Sequence, residues 1–358
     1  MKAISKEYAL FISLLSLVLF TIYEHTLAQT NMGNIAGFVI LFVVIIYASL
    51  AVAHHAEILA EKFGEPYGTL ILTISAVVVE VMIIAIMMLK SESPTLARDT
   101  IYSAIMLDIN GLLGVAAIIG GLKFGEQPYN VDSSNSYLSM LLVAIGLAMV
   151  LPHFIGDAEQ VPFMWFIVVM FLLLYIVFTK IQLKNHNYFF TYEGEGEDDC
   201  QEDCVDHSGI NGLYHGALLV IYILLIGFMA EVLSVFMEHN LEHLGLPLAL
   251  GAVSVAIISA SPELIVAFRA ALNNNMQTVI NIALGASLAT ILLTVPAVII
   301  IASITGMQID LAISPMQGFL LGLTLAVSVV NFNDGETNVL EGFLHFILFI
   351  VFAFVLFL

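Results

Sequence analysis

The sequence predicts an all-α polytopic membrane protein of eleven transmembrane helices, built as one extra N-terminal helix followed by two inverted five-helix repeats. Three observations lead there. Of the 358 residues, 60% are hydrophobic and only 11% charged, with a mean hydropathy of +1.02, whereas soluble domains carry about 25% charged residues. Apolar runs close to the roughly 20 residues needed to span a hydrocarbon core recur along the whole chain. One long hydrophilic stretch, TYEGEGEDDCQEDCVDHSG at 191–209, divides those runs into two sets.

In lipid each run must satisfy its own backbone polar groups, so each is read as a helix. The first, 8–28, shows no small-residue cleavage site and is expected to be retained. Next come 34–56, ending ahead of Lys62, and 67–89, which carries Glu80 and stops before Lys90. The run 100–121 follows Arg98, carries Asp108 and precedes Lys123; 136–151 is the shortest, and 163–182 ends around Lys180 and Lys184. Beyond the acidic stretch lie 213–237, 247–268 with Glu263 just before Arg269, 277–302, 313–331 and 339–358. Basic residues set the orientation. With the N-terminus inside, Lys2, Lys6, Lys62, Lys123, Lys180, Lys184 and Arg269 are cytoplasmic, and only Lys90 and Arg98 face outward. The acidic stretch is then cytoplasmic and the C-terminus outside.

With residues 1–33 set aside as the extra helix, 34–190 and 210–358 each hold five segments, joined by 191–209. An odd number per set gives the second set the opposite orientation, the inverted-repeat logic of secondary transporters. A weak internal similarity supports this division. The second helix of one set reads GTLILTISAVVVE from Gly68 to Glu80, and the second helix of the other reads GAVSVAIISASPE from Gly251 to Glu263.

Those two glutamates carry the functional reading. An acid at mid-membrane costs about 2.5–3.5 kcal/mol on insertion scales, and no Lys or Arg falls within 67–89 to neutralise Glu80. The structural alternative is a protonated carboxyl bonded between helices. Pro262, lacking an amide hydrogen, is expected to kink or break its helix near Ser259 and free carbonyl oxygens beside Glu263. Two carboxylates with carbonyl and hydroxyl oxygens suit a hard cation such as Ca²⁺. Poorly solvated paired carboxyls also hold protons, so cation and proton compete for the same oxygens, which is what an antiporter requires. Ser75, Ser259 and Ser261 are nearby hydroxyls, each either a site neighbour or bonded to its own backbone. Asp108 is either a third carboxylate or a helix-interface acid; its counterpart in the second set falls near Thr290, with Ser287 one turn earlier.

Other classes fare less well. Nine Lys and Arg against 29 Asp and Glu exclude a basic nucleic-acid surface and leave cations, protons and the lipid bilayer as partners. His54, His55 and Glu57, with His215, His239, Glu242 and His243, suggest a membrane metalloenzyme. No HExxH occurs, however, and these groups lie near membrane boundaries. His345 reads as a packing residue. Glu193, Glu195, Glu197, Asp198, Asp199, Glu202, Asp203 and Asp206 lack EF-hand spacing and form either a solvated linker or a weak Ca²⁺ collector. Cys200, Cys204 and His207 form neither a disulfide framework nor a zinc site, and no cofactor is expected.

Four stretches resemble the Ca²⁺/H⁺ antiporters of the cation/proton exchanger family, within the cation/Ca²⁺ exchanger superfamily and especially its bacterial members. They are HAEILAEKFGEPYGTLILTISAVVVE (55–80), IISASPELIVA (257–267), NIALGASLATILLTVPAV (281–298) and DGETNVLEG (334–342). The resemblance implies eleven helices in two inverted repeats around an acidic connection, with Glu80 and Glu263 as the essential cation- and proton-binding acids. It implies export of cytoplasmic Ca²⁺ across the plasma membrane by alternating access. The chain departs from the family pattern where a Gly-Asn pair is common, reading Ala76-Val77 and Ser259-Ala260, and has Asp108 where many members have asparagine. Ca²⁺, Na⁺ and K⁺ all stay open as the transported ion.

Overall fold

The structure is a computed structural model and describes residues 7–63, 67–91, 93–182 and 211–357. Lys2, Lys6, Lys184, the acidic residues 193–206, Cys200, Cys204 and His207 lie outside the described residues. The chain forms helices α1 (Tyr8–Ala28), α2 (Asn31–Phe63) and α3 (Tyr67–Ser91), then α4 (Leu96–Phe124) and α5 (Val131–Phe154) and α6 (Asp157–Lys180). After the acidic stretch come α7 (Gly212–Leu244) and α8 (Ala249–Leu272), α9 (Met276–Thr305), α10 (Pro315–Asn331) and α11 (Val339–Val355). Among the described residues nine helices are long and apolar enough to cross a membrane; α10 and α11 are shorter apolar helices. This is an all-α, multi-pass membrane fold.

Helix ends depart from the hydropathy reading in an orderly way. α2 continues through His54, His55 and Glu57 to Phe63, and α7 through His239 to Leu244, because polar residues propagate a helix once it leaves the apolar layer. α3 runs on to Ser91 and so contains Lys90, which pairs with Glu231 of α7 at 2.9 Å. Both partners are about half exposed, so the pair contributes at most about 1 kcal/mol.

The helices gather into two compact units, each drawing on both halves of the chain. The first holds the described residues up to Leu96 and from 211 through Pro262; the second holds Ala97 to 182 and those from Glu263 onward. In the first unit α2 lies against α7, and α1 and α3 pack on that pair. Leu41, Ile45 and Ala48 of α2 and Met229, Ala230 and Phe236 of α7 are fully or almost fully buried. Gly37 permits the contact, since a methyl there would stand 2.9 Å from the Phe236 ring. Phe11, Val39, Val43 and Phe228 point outward as lipid-facing residues.

In the second unit α4 and α11 meet backbone to backbone. A methyl on Gly114 would sit 2.9 Å from the Phe346 amide nitrogen, and one on Gly342 would sit 2.8 Å from the Gly114 carbonyl oxygen. Close approach of this kind is how small residues drive helix association in lipid. Gly342→Val should therefore force the helices apart and destabilise the protein by about 1–3 kcal/mol, read as earlier thermal unfolding in detergent. Gly322→Ala, with nothing within 4 Å of the added methyl, should leave the transition in place.

Polar clamps fix both ends of this unit. At one, Gln127–Pro128 pairs antiparallel with Glu336–Thr337. Gly125 and Gly335 supply the positive φ of 87° and 79° that each turn needs. Lys123 Nζ donates to the Leu272 carbonyl at 2.7 Å, and Gln127 Nε2 to that of Ala271 at 3.2 Å, holding the end of α8. At the other end Arg98 Nη1 donates to the Ala312 carbonyl, and Gln317, which with Ser314 forms the capping box of α10, donates to Asp99.

Candidate functional site

Glu80 sits on α3 in the first unit at 4% exposure, with Val79, Ile83 and Ile84 buried around it. An apolar helix folds here regardless of the acid, so helix packing carries the carboxyl into the interior. Ser75, also buried, donates its hydroxyl to the Ile71 carbonyl at 2.6 Å. That bond uses the hydroxyl hydrogen and leaves oxygen lone pairs, so Ser75 remains able to coordinate.

Glu263 is half-buried on α8, preceded by Ser259 and Ser261. Of the kink or break expected near Ser259, the break does not occur: α8 runs unbroken from Ala249 to Leu272 with Pro262 inside it. Pro262 cannot donate to the Ile258 carbonyl; the single hydroxyl hydrogen of Ser261 is shared between the Ile257 carbonyl, 2.6 Å from Oγ, and the Ile258 carbonyl, 3.1 Å away. Ser259 Oγ donates to the Ala256 carbonyl at 3.0 Å. The serines that flank the acid thus hold the helix together, and the Ile258 carbonyl is engaged rather than bare.

The second unit brings two other expected neighbours into contact. Asp108 of α4, at 2% exposure, accepts a hydrogen bond from Ser287 of α9 at 3.1 Å. Asp108 stands on a π turn, Leu107–Leu112, in which the Leu113 amide donates to the Asp108 carbonyl five residues back. Thr290 opens another π turn, Thr290–Thr294 of α9, three residues beyond Ser287. Inserted π turns re-aim side chains and are common at functional positions. Here they interrupt α4 and α9.

Residue type alone did not single out a buried polar trio that joins the same π turn, through Asn110, to Thr324 of α10 and His345 of α11. Asn110 accepts from His345 Nδ1 at 3.0 Å and donates to Thr324 Oγ1 at 2.8 Å. The available signal was an asparagine within an apolar run, two residues from an acid already flagged.

The histidines reach a different place. His55 is buried and lies 3.0 Å from His215, Nδ1 to Nδ1, and 3.5 Å from Glu7, whose carboxylate also accepts from Tyr214 and Tyr222. His54 and Glu57 point outward, so adjacent histidines on one helix do diverge. His239 uses Nδ1 on the Val235 carbonyl.

Long apolar helices with the carboxyl groups of Glu80 and Asp108 buried in them and π turns in mid-helix are features in keeping with a multi-pass ion transporter. The sodium/calcium exchanger protein family description matches residues 33–184 and 214–358, most of the chain. The chain belongs to that family, and it is an ion exchanger rather than an enzyme. It is 33% identical over 98% of its length to a sodium-potassium/proton antiporter, ChaA, of Escherichia coli, covering 96% of that protein. It is 25% identical to a Ca²⁺/H⁺ antiporter of Aphanothece halophytica over 75% of this chain and 76% of that one. Among solved structures it superposes on native YfkE with a TM-score of 0.76 at 18% identity, covering 97% of this chain and 99% of that one. An H⁺/Ca²⁺ exchanger, CAX, gives 0.65 at 19% identity over 98% and 88%. At those identities the structural likeness speaks for the fold.

Proposed function

We propose that the protein is a secondary active antiporter that exports a cytoplasmic cation, Ca²⁺ in the leading reading, in exchange for protons. The exchange takes place by alternating access at a midplane site containing Glu80 and Glu263. The observation that carries this reading is Glu80 itself, a carboxyl buried in an apolar helix of an ion exchanger, with Glu263 at the same ordinal place in the second half. Carboxylates bind a hard cation when ionised and a proton when not, so one site serves both substrates. Asp108 with Ser287, Thr290, Ser75, Ser259 and Ser261 would supply further oxygens.

The inverted-repeat reading, 34–190 and 210–358 flanking the linker 191–209, gains support from the family match falling in two stretches. We further infer that the protein lies in the plasma membrane, with the N-terminus and acidic connection cytoplasmic and the C-terminus outside, the orientation following from the basic residues.

A second reading, Na⁺ or K⁺ in place of Ca²⁺, is favoured by the likeness to the E. coli sodium-potassium/proton antiporter and by Val77 and Ala260 in place of the family's amides. Everted vesicles holding a proton gradient separate the two. Dissipation by Ca²⁺ at concentrations where Na⁺ and K⁺ leave the gradient intact supports the first. Dissipation by Na⁺ or K⁺ alone supports the second.

A further inference from the structure

We propose that His345 is a positioning residue which, through Asn110, holds the π turn of α4 in the register at which Asp108 meets Ser287. The proposal rests on the reading that Asp108 lies at the exchange site. His345 and Asn110 are both fully buried in the second unit. The imidazole lies flat against Phe332, ring centroids 5.2 Å apart and planes within 3°, and its Nδ1 faces Asn110 Oδ1. Its Nε2 meets no hydrogen-bond partner among the described residues.

That asymmetry fixes the chemistry. With the proton on Nε2, the ring would bury a donor with no acceptor; with it on Nδ1, the ring donates to Asn110 and leaves only a lone pair unmet, the less costly arrangement. Asn110 Oδ1 then accepts, and Nδ2 donates to Thr324 Oγ1. Both ends of the amide are committed, one to α11 and the other to α10.

Residues two apart on a helical turn point to nearly opposite sides. Asp108 reaches α9 through Ser287, while Asn110 reaches α10 and α11 from the opposite side. A π turn holds one residue more than an α-turn and persists where its surroundings fix it. Here it is gripped from both sides. The glycine contact between Gly114 and Gly342 sets the spacing on the His345 side, since a methyl on Gly114 would come within 3.1 Å of His345 Cβ. Loss of the imidazole lets the turn slip toward α-helical register and swings the Asp108 carboxylate away from Ser287.

The test uses full-length purified protein in proteoliposomes, with apparent KM and maximal rate of proton movement driven by Ca²⁺ and, in parallel, by Na⁺ and K⁺. His345→Ala is expected to raise the apparent KM for the transported cation about tenfold, equivalent to about 1.4 kcal/mol. His345→Asn, whose amide can still donate to Asn110, should recover most of that. In an Asp108→Asn background, His345→Ala should shift KM less than twofold, because the group it positions is already gone. Thr324→Val, which removes the other grip, should shift KM in the same direction and serves where His345→Ala does not fold. Equal effects of His345→Ala and His345→Asn, or an undiminished shift in the Asp108→Asn background, overturn the proposal. If Asp108→Asn alone leaves KM at the wild-type value, the placement of Asp108 at the site fails and the proposal with it. If Asp108→Asn shifts KM while neither His345→Ala nor Thr324→Val does, only the coupling through Asn110 fails.

Discussion

Glu80→Gln and Glu263→Gln are each expected to abolish cation-dependent dissipation of a proton gradient in everted vesicles, a loss of at least about 100-fold. Glutamine keeps the volume and one oxygen of the side chain but can neither ionise nor take up a proton. Both half-reactions therefore fail together, unlike the graded loss expected from removing a hydroxyl ligand such as Ser75. The 4% exposure of Glu80 argues against a purely electrostatic surface role that screening could replace. Glu80→Asp, which retains the charge on a shorter arm, should recover a fraction of the rate at a raised KM. Wild-type rates in either glutamine variant, with the protein present in the membrane at equal amount, would remove that residue from the site.

A second large effect lies in pH. If cation and protons share the same carboxyls, lowering the pH must weaken apparent cation affinity, because bound protons have to leave before the cation binds. Where both carboxyls are protonated, a cation that displaces two protons should show an apparent KM rising about 100-fold per unit fall in pH. One that displaces a single proton should show about tenfold. The sign is the same for Ca²⁺ and Na⁺; the slope tells how many protons each replaces. Initial rates at graded cation concentration, measured at several pH values with equal pH on both faces, give that slope. A KM independent of pH would mean that protons and cation do not compete for one site.

Much of this was legible in the sequence because lipid imposes simple rules. Every helical segment falls where an apolar run lies, since a spanning backbone must bond within itself. Glu80 stood out because nothing but function or a partner justifies its insertion. The ends were less legible: α2 and α7 run past His55 and His239 into polar sequence, where hydropathy no longer distinguishes a helix from a loop. Pro262 misled for a physical reason. Its missing amide hydrogen predicts a break, yet the adjacent Ser261 hydroxyl reaches back to the carbonyl that the proline leaves, a local substitution that residue type alone does not announce. Asp108 and Ser287 could each be marked as a neighbour of the site from their helix positions, but their contact with one another could not, because related positions in two helices do not by themselves bring side chains together. The Asn110 trio was not within reach, because its members are separated by 214 and 235 residues along the chain and only packing brings them together.

In the proposed exchange, cation and proton take turns at one site, so neither can move without the other. The most direct measurement is in proteoliposomes of purified protein with no initial pH difference, into which a gradient of the transported cation is imposed while internal pH is followed. The account predicts proton movement opposite to the cation, continuing until a pH difference opposes it, and absent in Glu80→Gln and Glu263→Gln. Cation flux down its gradient with internal pH unchanged would contradict it.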